Sequence, residues 1–486
     1  MSKFQTYEAY LNPNKDYSLL PFKFENLADK KVVLTNLVGE YEIISKEKLK
    51  SLVNHSLEQV DTDYIKLRSK HFIAEENDKN SIELLSLKVR TKHANLRNFT
   101  NLHMFVVSLR CDHSCQYCQV SRQSENKAAF DMTVETADRS LDLVFQSPNK
   151  SIKIEFQGGE PLLNFDLIKH IVLSAEERNK TEQRNLQFVI TTTLVLITDE
   201  ILDFCRQHKI YLSSSLDGPE DLHNKNRPKP ERNSYELFLK GLNRSRDILG
   251  VDGISALMTT SPSSLGRVKD IIDEYIKLGF NGIFLRHLSP YGFAVKTKSY
   301  QAYNYEKWLD FYKEGLDYII ELNKNGIYFS EYFSTLLLSK MLTSEDTGFV
   351  DLMNPAGIGI AAVTFNYDGD VYASDESRML KEMGDTSFKL GNVHQSSYKE
   401  IFTSDALLNA LDESFTWSAP MCCDCAFEPW CGADPVFHHA MFGDYLGKKP
   451  ESEFCNRMMG AFKHLLTLME EDEETKAIFL RWVNKC

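Results

Sequence analysis

The sequence predicts an α/β fold built around a parallel sheet. Between Leu102 and Gly326, short apolar runs typical of strands alternate with amphipathic stretches typical of helices. Six such β-then-α units in series indicate either an open doubly wound sheet or an incomplete barrel. Active sites in these sheets lie at the carboxyl ends of the strands. The predicted strands are Met104–Leu109, Ile152–Phe156, Phe188–Thr192, Tyr211–Ser215, Ile254–Met258 and Gly282–Leu285.

The composition narrows the class of protein. The 486 residues include 56 Lys and Arg against 69 Asp and Glu, a net charge of −13. This acidic excess argues against a nucleic-acid partner, which would need a basic surface. We expect no membrane partner, since no apolar run approaches the roughly 18 residues of a membrane span. The first residues lack the pattern of a secretory signal, so a cytoplasmic location with reduced cysteines is expected.

A small β-then-α unit is predicted within residues 1–75. Two β-rich runs, Val32–Thr35 and Tyr41–Ile44, flank Val38-Gly39-Glu40, which is a hairpin signal. Ser45 is a plausible N-cap for a short helix, and a second helical pattern covers Asp61–Phe72. Residues 76–100 are predicted to connect this unit to the barrel of residues 101–330.

Residues 331–486 are predicted to form a third region. A hairpin-like segment, with Ala361–Phe365 before Asp368-Gly369 and Val371-Tyr372 after it, precedes a second group of cysteines. A final helix is predicted over residues 457–469.

The first group of cysteines, Cys111, Cys115 and Cys118, directly follows the first predicted strand. Three thiolates on one loop can bind an iron–sulfur cluster, and with four irons they would leave one iron open for a further ligand. A structural zinc ion needs four ligands, and His113 is the nearby candidate for the fourth. A zinc site, or a structural cluster completed from elsewhere, therefore stays the alternative.

The first cysteine group has the pattern Cys-x3-Cys-x-aromatic-Cys, in which Tyr117 is the aromatic residue. A second motif, Gln157-Gly158-Gly159-Glu160-Pro161, directly follows the second predicted strand. This combination resembles the radical S-adenosylmethionine (SAM) superfamily. The resemblance implies a partial (β/α)6 barrel, a catalytic four-iron cluster on the three cysteines, and SAM as cofactor. It also implies the cofactor-binding residues, with the methionyl amine at the Gly-Gly-Glu segment: Tyr117, Gly158, Gly159, Glu160, Ser215 and Arg227.

Two of these residues belong to further motifs of the family. Ser215 lies in Ser-x-Asp-Gly, where the serine approaches the cofactor, and Arg227 ends His-x3-Arg, where the arginine pairs with the methionyl carboxylate. The alternative for both is a turn or cap role. Thr193 and Leu194 replace the asparagine and glycine that the family usually has after the third strand.

The second group of cysteines is Cys422-x2-Cys425-x5-Cys431, with Cys455 downstream. Alone, this spacing fits a zinc ribbon or a four-cysteine iron–sulfur site. Behind a radical SAM barrel it resembles the SPASM (twitch-like) extension, which carries auxiliary clusters. The fuller SPASM pattern has cysteines where this chain has Ser374 and Pro435. The resemblance therefore implies one auxiliary four-iron cluster, bound by Cys422, Cys425, Cys431 and Cys455.

Three segments, residues 108–123, 373–378 and 431–435, resemble maturases of His-Xaa-Ser peptide systems, which are related to cyclophane-forming enzymes. The implied function is a carbon–carbon crosslink in a ribosomally synthesised precursor peptide, with an electron donor such as flavodoxin or ferredoxin. The N-terminal unit would be a winged-helix-like domain that binds the leader peptide by strand addition, or else only a cap on the barrel. The alternatives are thioether formation, epimerisation, sulfatase maturation and a zinc-binding β/α scaffold.

Overall fold

The computed structural model describes residues 17–28, 30–75, 78, 80–344 and 347–484. The predicted first unit begins at residue 1, and its residues 1–16 lie outside this range. The described part of the unit consists of β1 (Tyr17–Leu19), β2 (Phe22–Ala28), β3 (Lys31–Asn36), β4 (Tyr41–Ser45), α1 (Lys46–Val53), α2 (Thr62–Ser69) and β5 (Ile73–Glu75).

The predicted hairpin is confirmed in the N-terminal unit. Strands β2, β3 and β4 form an antiparallel sheet in that order, and β1 pairs with β5. The Asn36 side-chain oxygen accepts hydrogen bonds from the backbone amides of Val38, Gly39 and Glu40, which closes the turn. Ser45 caps α1 as predicted, because its hydroxyl accepts a hydrogen bond from the amide of Lys48.

The central region contains the alternating units. Its elements are α3 (Asn80–Lys92), β6 (Leu102–Ser108), α4 (Lys127–Phe130), α5 (Val134–Val144), β7 (Ser151–Gly158), α6 (Phe165–Glu182), β8 (Asn185–Thr192), α7 (Asp199–Gln207), β9 (Ile210–Ser215), α8 (Glu220–Asn226), α9 (Ser234–Leu249), β10 (Ile254–Leu257), α10 (Val268–Lys277), β11 (Gly282–Ile283), α11 (Phe293–Lys296), α12 (Tyr305–Lys324), β12 (Ser330–Glu331) and α13 (Tyr332–Leu342).

The C-terminal region adds three strands and six helices among the residues described. They are β13 (Ala362–Phe365), β14 (Asp370–Tyr372), α14 (Asp375–Lys381), β15 (Lys389–Asn392), α15 (Tyr398–Phe402), α16 (Asp405–Glu413), α17 (Pro435–Phe442), α18 (Glu453–Glu471) and α19 (Glu473–Asn484). The hairpin predicted from residue 361 is confirmed as β13–β14, and the helix predicted over residues 457–469 lies within α18.

One mostly parallel sheet organises the molecule, in the order β10-β9-β8-β7-β6-β13-β14-β15. Five of the six predicted strands are neighbours in it and parallel. The sixth is not in this sheet, because β11 is short and pairs with β12 instead. Strand β11 ends at Ile283, before the predicted end at Leu285, because the amide of Leu285 donates a hydrogen bond to the Glu331 carboxylate at 3.0 Å instead of to a neighbouring strand. Strand β13 runs parallel to β6 on the side away from β7, so the sheet crosses the predicted boundary at residue 330.

The N-terminal sheet is covered on both faces. On one face Leu34 and Ile44 pack with the buried residues of α1 and α2, whereas Val33 belongs to the main core of the molecule. The Thr35 hydroxyl donates to the carbonyl of Ala426 at 2.6 Å, and the Trp430 indole donates to the carbonyl of Gly39 at 3.0 Å. The unit is therefore docked on the second cysteine region.

None of the described helices combines the length and apolar character that a membrane crossing requires.

Candidate active site

The first cysteine loop is anchored where β6 ends. The buried guanidinium of Arg110 forms two hydrogen bonds of 2.7 Å with the Asp131 carboxylate and a third with the carbonyl of Leu163. The Ser108 hydroxyl donates to the same carboxylate at 2.7 Å. A bidentate pair of this kind fixes geometry as well as adding energy. The residue before Cys111 is thereby held in one position.

The Gly-Gly-Glu segment crosses directly over the start of this loop. The amide of Gly159 donates to the carbonyl of Ser108 at 2.9 Å, and the amide of Glu160 donates to the carbonyl of Arg110 at 2.7 Å. A Cβ atom on Gly158 would lie 1.9 Å from the Ser108 oxygen. One on Gly159 would lie 2.2 Å from the Arg110 oxygen. Both glycines are therefore required for this close crossing of two strand ends.

The three thiols of the loop are free, partly exposed and close enough to influence one another. Burial raises the pKa of Cys111, with a contribution from Cys115, and raises that of Cys115 to about 12, opposed by Arg227. Thiolates that are costly to form without a cation suit a metal cluster, which supplies the positive charge. The donor set therefore fits an iron–sulfur cluster.

The alternative, a zinc site, would use part of the same loop. The ligand atoms of Cys111, Asp112 and His113 lie within 4.8 Å of one another. His113 Nδ1, however, is 2.8 Å from one oxygen of Asp112, and the ammonium of Lys229 is 2.8 Å from the other. A carboxylate already paired with a lysine is a poor ligand for zinc, so this geometry favours the three-cysteine set.

Glu160 is fully buried and fully hydrogen-bonded. Its carboxylate accepts from the amide of Leu162, from the hydroxyl of Thr192, and from both the amide and the hydroxyl of Thr193, at 2.8–3.1 Å. These four donors match the four acceptor positions of a carboxylate. Thr193, which replaces the usual asparagine, ties β8 to Glu160. Binding of an ammonium by Glu160 therefore requires one donor to move.

A buried triad lies beside Cys115. The Tyr117 hydroxyl donates to Asp217 Oδ2 at 2.5 Å, and Arg227 Nε lies 3.2 Å from the same oxygen. The guanidinium is 5.6 Å from the centre of the Tyr117 ring. Arg227, predicted to pair with a methionyl carboxylate, thus has an internal carboxylate as its partner in this structure. Ser215 ends β9 at the same edge of the sheet and is partly exposed.

The triad gives a prediction for stability. Asp217→Ala should lower the free energy of unfolding by about 3–5 kcal/mol, because it leaves the buried Arg227 without its counter-charge. Urea unfolding of the metal-free chain, followed by circular dichroism, measures the change. The matched control is Asp203→Ala, whose partner Arg206 is 63% exposed, where about 1 kcal/mol or less is expected. Equal changes in the two variants would contradict the structural importance of the triad.

The second group of cysteines surrounds the start of α18. Cys455 lies in the first turn of this helix, and Cys422, Cys425 and Cys431 come from the loop before α17. Burial raises the pKa of all four thiols, that of Cys425 to about 11, and neighbouring thiols of the set raise those of Cys422, Cys425 and Cys431 further. Cys455 therefore lies near each of the other three thiols, but no three of the four come within 4.8 Å of one another among the residues described.

The two positions without the expected cysteine have other structural tasks. Ser374 is the N-cap of α14, and its hydroxyl accepts a hydrogen bond from the amide of Ser377. Pro435 is the first residue of α17, directly after the N-cap Asp434. Both positions therefore begin helices.

Residues 105–274 match the sequence profile of the Radical SAM superfamily. This range starts in β6 and ends in α10, so it includes the cysteine loop, the Gly-Gly-Glu segment and the buried triad. The chain contains a radical SAM domain. An iron–sulfur cluster and SAM are the cofactors of such a domain, and the three free thiols beside the glycine crossing fit this requirement.

Curated relatives of the radical SAM domain belong to several groups. An uncharacterized protein of Methanocaldococcus jannaschii is 31% identical over 38% of this chain and 61% of its own length. The radical SAM cyclopropyl synthase TigE of Paramaledivibacter caminithermalis is 24% identical over 53% of this chain and 57% of its own. The cysteine-type anaerobic sulfatase-maturating enzyme of Clostridium novyi is 22% identical over 67% and 83%. The chain thus spans about three fifths of the first two relatives.

The fold of the radical SAM domain and its extension is that of a solved structure. Native anSMEcpe with bound AdoMet and the Kp18Cys peptide superimposes with a TM-score of 0.63 and 18% identity, covering 80% of this chain and 99% of that one. The α/β radical SAM fold is therefore confirmed, together with additional C-terminal elements of the kind that the SPASM resemblance implied.

Several residues that fix the site were not among the predicted site residues. Asp131 holds Arg110, Thr192 and Thr193 hold Glu160, and Asp217 holds Tyr117 and Arg227. Asp217 could have been found, since it is the aspartate of the Ser-x-Asp-Gly motif. Asp131 carries no such signal, because its partner lies 21 residues away in the sequence.

Proposed function

We propose that this chain is a radical SAM peptide maturase that installs a carbon–carbon crosslink of cyclophane type in a ribosomally synthesised precursor peptide. The observation that carries the radical chemistry is the three-thiol loop held against the Gly-Gly-Glu segment by Arg110. A relative that matures sulfatases supports a protein or peptide substrate. The resemblance of three segments to His-Xaa-Ser maturases supports the cyclophane product.

Cys111, Cys115 and Cys118 would bind the catalytic cluster in this proposal. With SAM bound, the cluster supplies a 5′-deoxyadenosyl radical that removes hydrogen from the substrate. Tyr117, Gly158, Gly159, Glu160, Ser215 and Arg227 would surround the cofactor. The chain itself contributes rigidity, because the Arg110–Asp131 pair and the Tyr117–Asp217–Arg227 triad fix the loop from two sides. An electron donor such as flavodoxin or ferredoxin would be the second partner.

A single auxiliary cluster would be bound by Cys422, Cys425, Cys431 and Cys455. The grouping of these four thiols supports it, and the helix-starting roles of Ser374 and Pro435 support the loss of a second auxiliary cluster. The auxiliary cluster would accept an electron after bond formation or brace the substrate.

The N-terminal unit would bind the leader part of the precursor. Its sheet is covered on both faces, which leaves the edges of β2 and β4 for strand addition. Phe24 is an apolar side chain in β2 that is 51% exposed, and among the described residues β2 pairs with β3 alone. We therefore place the leader along β2. Because Val33 and Thr35 pack on the rest of the molecule, deletion of the unit would also uncover the main core.

A point variant tests leader binding better than truncation. Phe24→Asp should lower modification of the full-length precursor about tenfold or more, because a charge replaces an apolar contact of the leader. Modification of a peptide without the leader should stay unchanged. Val60→Asp is the matched control, since Val60 is 86% exposed on the same unit and lies between α1 and α2 in the chain rather than in β2. If both variants modify the full-length peptide equally well, the N-terminal unit does not bind the leader and only covers the rest of the molecule.

Mass spectrometry of a precursor peptide encoded beside this protein tests the product. Anaerobic co-expression should lower the peptide mass by two hydrogen atoms and leave one segment that resists fragmentation. Thiol alkylation separates a thioether from a carbon–carbon bond, and an unchanged mass with one inverted residue would indicate epimerisation. Zinc in place of iron and sulfide would indicate a scaffold protein.

Sulfatase maturation is the second candidate function. It is favoured by the Clostridium novyi relative, of which this chain covers 83%, a larger share than of TigE. Incubation with a sulfatase-derived peptide would then oxidise one residue without forming a fragmentation-resistant segment. This outcome distinguishes the two candidates.

A further inference from the structure

A buried arginine of the C-terminal region contacts the end of the first cysteine loop. Arg378 of α14 is 1% exposed, and its Nη1 donates a hydrogen bond to the carbonyl of Val120 at 3.1 Å. Val120 is two residues after Cys118, the last thiol of the loop. The segment of residues 373–378, which resembles peptide maturases, therefore reaches the candidate active site through its last residue.

A second segment fixes the part of the loop that Arg378 contacts. The amide of Phe293 donates a hydrogen bond to the carbonyl of Cys118 at 2.8 Å. A Cβ atom on Gly292 would lie 2.3 Å from the carbonyl oxygen of Gln119, so the two backbones can approach this closely only because residue 292 is glycine. The end of the loop and the guanidinium are therefore held in a fixed relation by packing.

The other cations beside this loop are either paired or exposed. Three of them form ion pairs with carboxylates at 2.7–3.2 Å: Arg110 with Asp131, Arg227 with Asp217, and Lys229 with Asp112. A fourth, Arg122, lies over the ring of Phe293 and is partly exposed, so solvent screens its charge. These four side chains therefore add little uncompensated charge to the site.

Arg378 differs from these cations because its charge is buried without a paired carboxylate. It forms no salt bridge within the described part of the chain, and its Nε has no hydrogen-bond partner there. Burial lowers the pKa of Arg378, and this is opposed from beyond ion-pair distance by Glu382, Asp375, Cys118 and Tyr367. Glu382, the first of these, accepts a hydrogen bond from Gln123 at 3.0 Å. A buried guanidinium that stays charged needs a counter-charge, and a cluster on anionic thiolates supplies one.

We infer that Arg378 raises the reduction potential of the catalytic iron–sulfur cluster and thereby favours its reduction by the electron donor. Reduction adds one negative charge to a cluster, and a fixed positive charge in a poorly hydrated interior stabilises the reduced form. The C-terminal region would then tune the catalytic cluster although it contributes no thiol to it. This inference rests on the proposed binding of that cluster by Cys111, Cys115 and Cys118.

Two other tasks for Arg378 have different consequences. Direct contact with a substrate is disfavoured, because the side chain is 1% exposed. A purely structural task would depend on the planar guanidinium that donates to Val120, and lysine does not reproduce this geometry. An electrostatic task depends on the positive charge, which lysine keeps. Lysine and a neutral residue at this position therefore separate the two explanations.

A redox titration of the catalytic cluster tests the inference. It uses the reconstituted full chain with Cys425→Ala, so that the catalytic cluster gives the signal, without SAM or peptide. At a given potential, Arg378→Gln should lower the ratio of reduced to oxidised cluster about tenfold, which corresponds to about 59 mV for a one-electron couple. Electron paramagnetic resonance measures the reduced form. Arg378→Lys should restore most of the difference, because it keeps the charge.

Two further variants complete the test. Arg206→Gln is the matched control, since it removes the same charge at a position 63% exposed and should leave the midpoint unchanged. If Arg378→Gln binds fewer than roughly four irons, Arg378→Met makes the same change of charge with an apolar side chain.

The inference is overturned by an unchanged midpoint in a loaded neutral variant, or by an equal shift in Arg378→Lys or Arg206→Gln. Failure of both neutral variants to bind the cluster would also overturn it, because Arg378 would then have a structural task. Absence of iron from the Cys425→Ala chain with Arg378 intact would instead contradict the proposed three-cysteine site. The two failures are therefore distinguishable.

Discussion

Cys115→Ala is expected to abolish formation of 5′-deoxyadenosine from SAM under reducing, anaerobic conditions. Cys115 lies between the other two thiols of its loop and beside the buried Arg227. Two remaining thiolates are too few for a cluster that three cysteines bind with one open iron. Chromatographic measurement of 5′-deoxyadenosine after reconstitution should therefore give the level of the protein-free control.

Cys423→Ala is the matched control for this variant. Cys423 is also a partly exposed free thiol, but it belongs to neither predicted ligand set. It should keep the wild-type rate. Production of 5′-deoxyadenosine by Cys115→Ala at a comparable rate would contradict the assignment of the catalytic cluster.

The second prediction with a large expected effect concerns the iron content of the reconstituted chain. The wild-type chain should bind roughly eight irons after full anaerobic reconstitution, which corresponds to two four-iron clusters. Cys425→Ala should lose about half of this iron, because Cys425 is one of the four thiols proposed to bind the auxiliary cluster, and three thiols are too few for a four-cysteine site. Colorimetric iron and sulfide determination measures the loss.

The neighbouring thiol again provides the comparison, since Cys423→Ala should retain all of the iron. A content near twelve irons in the wild type would contradict a single auxiliary cluster. It would require ligands other than cysteine, such as Asp375, in place of those missing at Ser374 and Pro435. Loss of all iron in Cys425→Ala would contradict the independence of the two sites.

Local patterns predicted the strands and motifs well, because the period-2 and period-3.6 signals depend on neighbouring residues. Five strands of the sheet and the N-cap Ser45 are examples. Strand β11 is shorter than predicted because the distant Glu331 carboxylate takes the amide of Leu285. The position of β13 beside β6 and the docking of the N-terminal sheet through Thr35 and Trp430 depend on pairings more than 250 residues apart. No local signal carries such pairings.

In the candidate active site, too, the ligand-type residues could be predicted from the sequence, whereas their hydrogen-bond and ion-pair partners could not. The spacing of the cysteines identified both thiol sets, since ligand spacing is a local property. Three donors to Glu160 come from Thr192 and Thr193 at the end of β8, and this contact depends on how two strand ends meet. The pairing of Arg227 with Asp217 likewise depends on the fold, although Asp217 belongs to a motif. The motif residues could therefore be named from the sequence, whereas their contacts depend on the fold.

The most direct test of the account measures peptide modification and SAM cleavage in one experiment. The reconstituted full chain is incubated anaerobically with SAM, reductant and the neighbouring precursor peptide, and 5′-deoxyadenosine and peptide mass are quantified together. We expect one 5′-deoxyadenosine for each peptide that loses two hydrogen atoms, with a fragmentation-resistant segment in the product. Cleavage of SAM with every candidate peptide left unchanged, or no cleavage by an iron-loaded enzyme, would contradict it.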